Sequence, residues 1–134
     1  MDQMTIQIGQ ASSTTSEAAI RAHRVLIDRP VDKGGTDLGP MGGELFLAAI
    51  GGCFMSNLLA AIRARKSEVS DVRTTVVGTI VSAPARFSAV DVQVEARGRS
   101  EEIERLVEIA DRGCIMMNTL RDRLEVRIRT RVAV

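Results

Sequence analysis

Hydrophobic and polar positions follow three patterns along this chain. Between 72 and 97 they alternate: "VRTTVVGTIVSA" (72–83) and "SAVDVQVEAR" (88–97) predict a β-hairpin around "PARF", with Val90, Val92, Val94 and Ala96 on one face. From 100 to 113, "SEEIERLVEIADRG" places apolar residues at helical spacing and predicts an amphipathic helix. Ser100 suits its N-cap, and acids fill the first turn, where the helix dipole favours them. From about 43 to 66 the chain is apolar nearly all round, the pattern of a helix covered on every side.

The remaining segments are shorter. "TIQIG" (5–9) and "IRAHRVLID" (20–28) read as extended pieces either side of a polar turn, "ASSTTSE" (11–17). In the second, Ile20, Ala22, Arg24 and Leu26 share one side, and Arg21, His23, Val25 and Ile27 the other. "RPVDKGGTDLGPMGG" (29–43) is a loop rich in Gly and Pro. "CIMMNTLRD" (114–122) predicts a short helical piece. "LEVRIRTRV" (124–132) predicts a strand with Leu124, Val126, Ile128 and Thr130 inward and arginines outward. Strands, helix, hairpin, helix, strand is the order of an α+β fold with a mostly antiparallel sheet.

The apolar run 45–62 reaches the lower limit for a membrane span. Gly51, Gly52, Ser56 and Asn57 interrupt it, however, and the alternation elsewhere is of the soluble type, so no membrane partner is expected. One small sheet does not surround so apolar a helix, and the expectation is a homodimer that packs these helices together.

Composition narrows the functions. A length of 134 residues is one domain. A net charge of +1 gives no electrostatic capture of nucleic acid, and three Phe with no Trp or Tyr offer no base-stacking platform. The start, "MDQMTIQIGQ", has no apolar signal region, so the expected location is cytoplasmic. In that compartment two cysteines, Cys53 and Cys114, read as free thiols. One histidine, His23, does not complete a four-ligand zinc site with them, so neither metal nor cofactor is expected.

Gly51 and Gly52 directly precede Cys53 inside the central helix, where each costs roughly 1 kcal/mol relative to alanine. Glycines admit close approach. A partner helix, the second cysteine or a substrate comes near this sulfur, or the thiol is simply packed and inert.

"GGTDLGPMGGELFLAAIGGCF" resembles the signature of the OsmC/Ohr superfamily, the osmotically induced and organic hydroperoxide resistance proteins. There a Gly-rich loop leads into a helix carrying "A-A-x-x-x-C". "ADRGCIMMNTLR" is similar to the second cysteine segment, with Asn118 and Arg121 at matching offsets from Cys114. His23, Asp28, Pro30, Gly34, Gly35, Asp37, Gly39 and Pro40 reproduce a pattern of the OsmC-like branch. The resemblance covers about 20–132 and implies a single OsmC-like domain over 1–134. Two chains would intertwine into a homodimer, with long central helices inside and antiparallel sheets outside.

It further implies a thiol-dependent peroxidase acting on organic hydroperoxides. Cys53 would be peroxidatic and Cys114 resolving through a disulfide that an external dithiol resets. The family places an arginine before the helix and a glutamate at its start. Arg29 best matches the arginine, with Arg24 and Arg21 in reserve. Gly43 occupies the family glutamate position, and Glu44, one residue later, either reaches the site or serves as a first-turn acid. Ile115 stands where a proline usually follows the second cysteine. Cys53 lies mid-helix and gains little from its own dipole, so it calls for a nearby cation, whereas Cys114 at a helix start gains from the dipole. The rival function is a non-catalytic protein of the same fold that binds a hydrophobic small molecule at the dimer interface. A phosphate loop in "GGTDLGPMGGE" is disfavoured: it lacks the G-K-[ST] ending, and Glu44 would repel the anion.

Overall fold

The computed structural model describes residues 1–122 together with Leu124, Val126, Arg127, Arg129 and Arg131. Of the strand expected over 124–132, residues 125, 128, 130 and 132 lie outside the described residues, and the expectation goes untested. The chain forms two compact units, Met1–Ala48 and Ala49–Val134.

The N-terminal unit holds a three-stranded antiparallel sheet of β1 (Gln7–Gln10), β2 (Ser16–Ile20) and β3 (His23–Ile27), in that order. Ile8 faces Ala18, and Ala18 faces Val25, which sets the buried Ala18 at the sheet centre. The single extended piece expected over 20–28 is instead the end of one strand, a two-residue turn and a second strand. Ile20 pairs with His23 across Arg21 and Ala22, and Arg21 takes φ 53°. Such hairpin turns usually carry Asn or Gly, and without them the sequence gives no signal. Within β3, Val25 and Ile27 are half-buried and Arg24 and Leu26 face out.

Next comes a short 3-10 turn, Val31–Lys33, and then helix α1, Gly42–Ala64. Only one stripe of α1 is buried: Ile50, Gly51, Phe54, Leu58 and Ala61. Its most apolar window has a mean hydropathy of 2.0 with 22% buried, long and apolar enough for a membrane span by length and composition, as core helices of soluble proteins also are. Ala49, Gly52, Ser56, Leu59 and Ala60 are exposed along the opposite side.

The C-terminal unit adds a long hairpin, β4 (Ser70–Val81) and β5 (Arg86–Arg97), then α2 (Ser100–Arg112) and α3 (Ile115–Leu120). Val72, Val76, Val90, Val92, Val94 and Ala96 form the half-buried face of the hairpin, as the alternation predicts. A bulge between Thr79 and Ile80 reverses the phase, leaving Ile80 exposed and Val81 half-buried. Arg99, not Ser100, occupies the α2 cap position, and its side chain makes no capping bond. The core of this unit joins Phe54, Leu58 and Ala61 of α1 to Leu106 and Ala110 of α2, with Val69 and Cys114.

Candidate active site

Three elements bring the two cysteines together. Cys53 projects from α1 beside the core stripe begun by Ile50 and Phe54. Cys114 occupies the N-cap of α3, where its extended backbone turns the chain out of α2. Cys114 N–H donates to Asp111 O at 3.2 Å, and Asn118 N–H donates to Cys114 O at 3.0 Å. Arg121 returns across this turn to grip Asp111 with two parallel bonds, 2.8 and 3.1 Å. Asn118 Nδ2 donates to Arg112 O at 3.2 Å. The turn carrying Cys114 is therefore fixed from both sides.

The result is a thiol pair. Cys114 Sγ donates to Cys53 Sγ at 3.3 Å, across 61 positions of sequence. Both cysteines are free. Cys114 is wholly buried and Cys53 half-buried, so outside reagents meet Cys53 first.

Their acidities diverge. The Met116 N–H at the start of α3 holds the Cys53 thiol below its ordinary pKa, against the opposing effect of burial; the Cys114 thiol and the Ile115 N–H act in the same direction. Burial pushes the Cys114 thiol up, and the Met117 and Met116 N–H groups only partly offset it. From sequence, the dipole advantage falls to Cys114 and Cys53 calls for a cation. In the structure the N–H groups of α3 favour Cys53, which comes to lie against a second helix start rather than relying on its own helix. Arg121 is near enough to Cys114 for charge on that sulfur to be felt at its guanidinium.

The glycines before Cys53 have different surroundings. A Cβ at Gly51 would lie 2.7 Å from Val76 Cγ2 of β4, whereas one at Gly52 meets nothing within 4 Å. Gly51 thus lets the hairpin press against α1, and Gly52 lies on the open side.

Arg29 and Glu44 belong to the N-terminal unit. Glu44 Oε1 accepts the Met41 N–H at 2.9 Å, half of a capping box that closes the start of α1. Arg29 is exposed, and its side chain borders an open cleft of about 370 Å³ with Thr14, Met41 and Gly43 among its walls. Arg24 faces Glu17 at 3.7 Å on the sheet surface, and Arg21 and His23 are exposed in and beside the hairpin turn.

A buried carboxylate organises the Gly-rich loop. Asp28 Oδ2 accepts from Thr36 Oγ1 at 2.6 Å, Thr15 Oγ1 at 2.8 Å, and the Thr36 and Leu38 N–H groups at 3.3 Å each. Oδ1 accepts the Arg29 N–H at 2.7 Å. These donors, Thr36 foremost, hold the Asp28 carboxyl well below the usual carboxylate range despite burial. In the sequence Asp28 is one member of the OsmC-like pattern, with no role marked for it. The available signal was an acid closing an extended segment, with threonines on either side of it in the sequence.

A family model described as OsmC-like protein matches residues 34–129, which include both cysteines. No curated protein sequence matches the chain. Solved structures share its fold. An OsmC-like protein from Mycoplasma pneumoniae has a TM-score of 0.77 at 15% identity, covering 90% of this chain and 88% of its own. An organic hydroperoxide resistance protein OsmC from Legionella pneumophila has a TM-score of 0.65 at 20% identity, covering 90% of each chain. An organic hydroperoxide resistance protein from Elizabethkingia anophelis has a TM-score of 0.65 at 22% identity, also over 90% of each. The cysteine segments, the antiparallel α/β architecture and the family match agree: this chain belongs to the OsmC-like protein family.

Proposed function

We propose that the chain is a thiol peroxidase for organic hydroperoxides, with Cys53 peroxidatic and Cys114 resolving. The observation that supports it is the 3.3 Å thiol pair, in which the accessible sulfur is the more acidic one. The Cys53 thiolate attacks the hydroxyl oxygen of the hydroperoxide. The O–O bond breaks, the alkoxide takes a proton and leaves as alcohol, and Cys53 becomes a sulfenic acid. Cys114 sulfur then attacks Cys53 sulfur, water leaves, and a disulfide remains. An external dithiol reduces it by exchange. The structural neighbours from Legionella and Elizabethkingia, named organic hydroperoxide resistance proteins, lend support. The exposed, mostly apolar side of α1 (Ala49, Gly52, Ser56, Leu59, Ala60) favours a homodimer through these helices, and free thiols favour a reducing cytoplasm.

The test is steady-state consumption of cumene hydroperoxide with dithiothreitol as reductant. Turnover that Cys53→Ser abolishes is expected; turnover unchanged in that variant refutes the assignment. One observation favours the second reading, a non-catalytic binder of a hydrophobic small molecule: the Glu44 carboxylate is engaged by Met41 at the helix cap. Absence of turnover alongside saturable binding of an apolar probe would support that reading.

A further inference from the structure

The two sulfurs stand close enough for one thiol-seeking centre to bridge them. We propose that Cys53 and Cys114 form a chelating dithiol for trivalent arsenic, either inorganic or carrying one organic group. This deepens the reading of the same thiol pair and does not require turnover.

The sulfur separation is 3.3 Å. With a metal–sulfur bond of about 2.3 Å, a tetrahedral zinc ion holds two thiolates about 3.8 Å apart, and a linear two-coordinate ion at that bond length holds them about 4.6 Å apart. A centre whose bonds of about the same length meet near a right angle holds them about 3.3 Å apart. Trivalent arsenic is such a centre, because its lone pair pushes its three bonds into a steep pyramid.

Donor count points the same way. Among the described residues no group of three or more His, Cys, Asp or Glu stands together, so a closed tetrahedral site lacks protein ligands here. An arsenic atom that keeps one hydroxyl or organic group needs only two sulfurs. The pair is already assembled, so little ordering cost opposes the second bond. Entry is over the half-buried Cys53. The third substituent can lie outward beside Ile115, whose N–H faces Cys53 and whose apolar side chain is 66% exposed. The reaction is a condensation. Two As–O bonds break, two As–S bonds form, and the two hydroxyls leave as water with the thiol protons. Arsenic stays trivalent and neither sulfur is oxidised.

The experiment titrates phenylarsine oxide into reduced protein without peroxide, following intact mass and free thiols for wild type, Cys53→Ser and Cys114→Ser. One arsenic per chain with loss of both thiols is expected in wild type, reversed by excess 2,3-dimercaptopropanol. Each single-cysteine variant should bind at least about a hundredfold more weakly, because chelation is lost. Two titratable thiols after one equivalent, or equal binding by the variants, overturns the proposal, as does zinc displacing the arsenical at equal concentration. Parallel exposure to cumene hydroperoxide separates the two ideas. A chain that captures the arsenical but ignores peroxide upholds the dithiol site and refutes the peroxidase. The reverse result refutes only the dithiol site.

Discussion

Replacing Gly51 by alanine sets two known effects against each other. Inside a helix, alanine is favoured over glycine by about 1 kcal/mol. The added Cβ, however, would stand 2.7 Å from Val76 Cγ2. Valine is branched at Cβ, so that methyl moves only by leaving its χ1 well or by shifting the strand. Overpacking of this kind costs about 1–3 kcal/mol. Gly51→Ala should therefore lower stability by about 0–2 kcal/mol on balance. In a Val76→Ala background the obstructing methyl is gone, and the same substitution should stabilise by about 1 kcal/mol. The double-mutant cycle then has a coupling energy of about 1–3 kcal/mol between Gly51 and Val76. Urea unfolding of the four proteins at one protein concentration measures it, with unchanged m-values as the check on two-state behaviour. A coupling near zero would show that Gly51 is not there to admit β4, and the account of the paired glycines would fail.

Three further outcomes are expected. Cys114→Ala removes a hydrogen bond to Cys53 sulfur, so the pH midpoint of Cys53 alkylation should rise, yet stay below that of an ordinary thiol because the Met116 N–H remains; an unchanged midpoint refutes the thiol-to-thiol bond. Asp28 has a folded-state pKa below its unfolded value of about 3.9, so its stabilisation is present at neutral pH and fades as pH falls below about 4. Asp28→Asn should accordingly be less stable at pH 7, with a gap to wild type that narrows in acid melts; a gap independent of pH contradicts this. Gly35→Ala would place Cβ 1.9 Å from the Arg29 carbonyl oxygen, and because backbone must move the loss should be at least about 2 kcal/mol by thermal unfolding.

Elements with a regular period were legible in the sequence. The alternation of Val90, Val92, Val94 and Ala96 and the amphipathic α2 record burial in their spacing, whereas α1 was legible only as a long apolar run, of which one stripe is buried in place of the all-round cover expected. The β2–β3 turn was not, because Arg21 adopts a left-handed conformation that its own preference does not announce. At the site, the sequence named both sulfurs, but no spacing reveals that residues 61 apart meet at 3.3 Å. The acidity of Cys53 was also hidden. It comes from main-chain N–H groups, which every residue but proline carries, so no side chain marks them. Ile115 in the usual proline position leaves one more such donor at Cys53. Gly51 and Gly52 looked equivalent in sequence, and only the position of Val76 separates them.

The most direct test of the central claim, that Cys53 and Cys114 act as one redox pair, is intact mass with a free-thiol count. One equivalent of cumene hydroperoxide is added to reduced wild type and to Cys114→Ser. Rapid loss of two hydrogens and both thiols is expected in wild type, and a trapped single-oxygen adduct on Cys53 in the variant. Unchanged masses with both thiols still titratable after several minutes would contradict it.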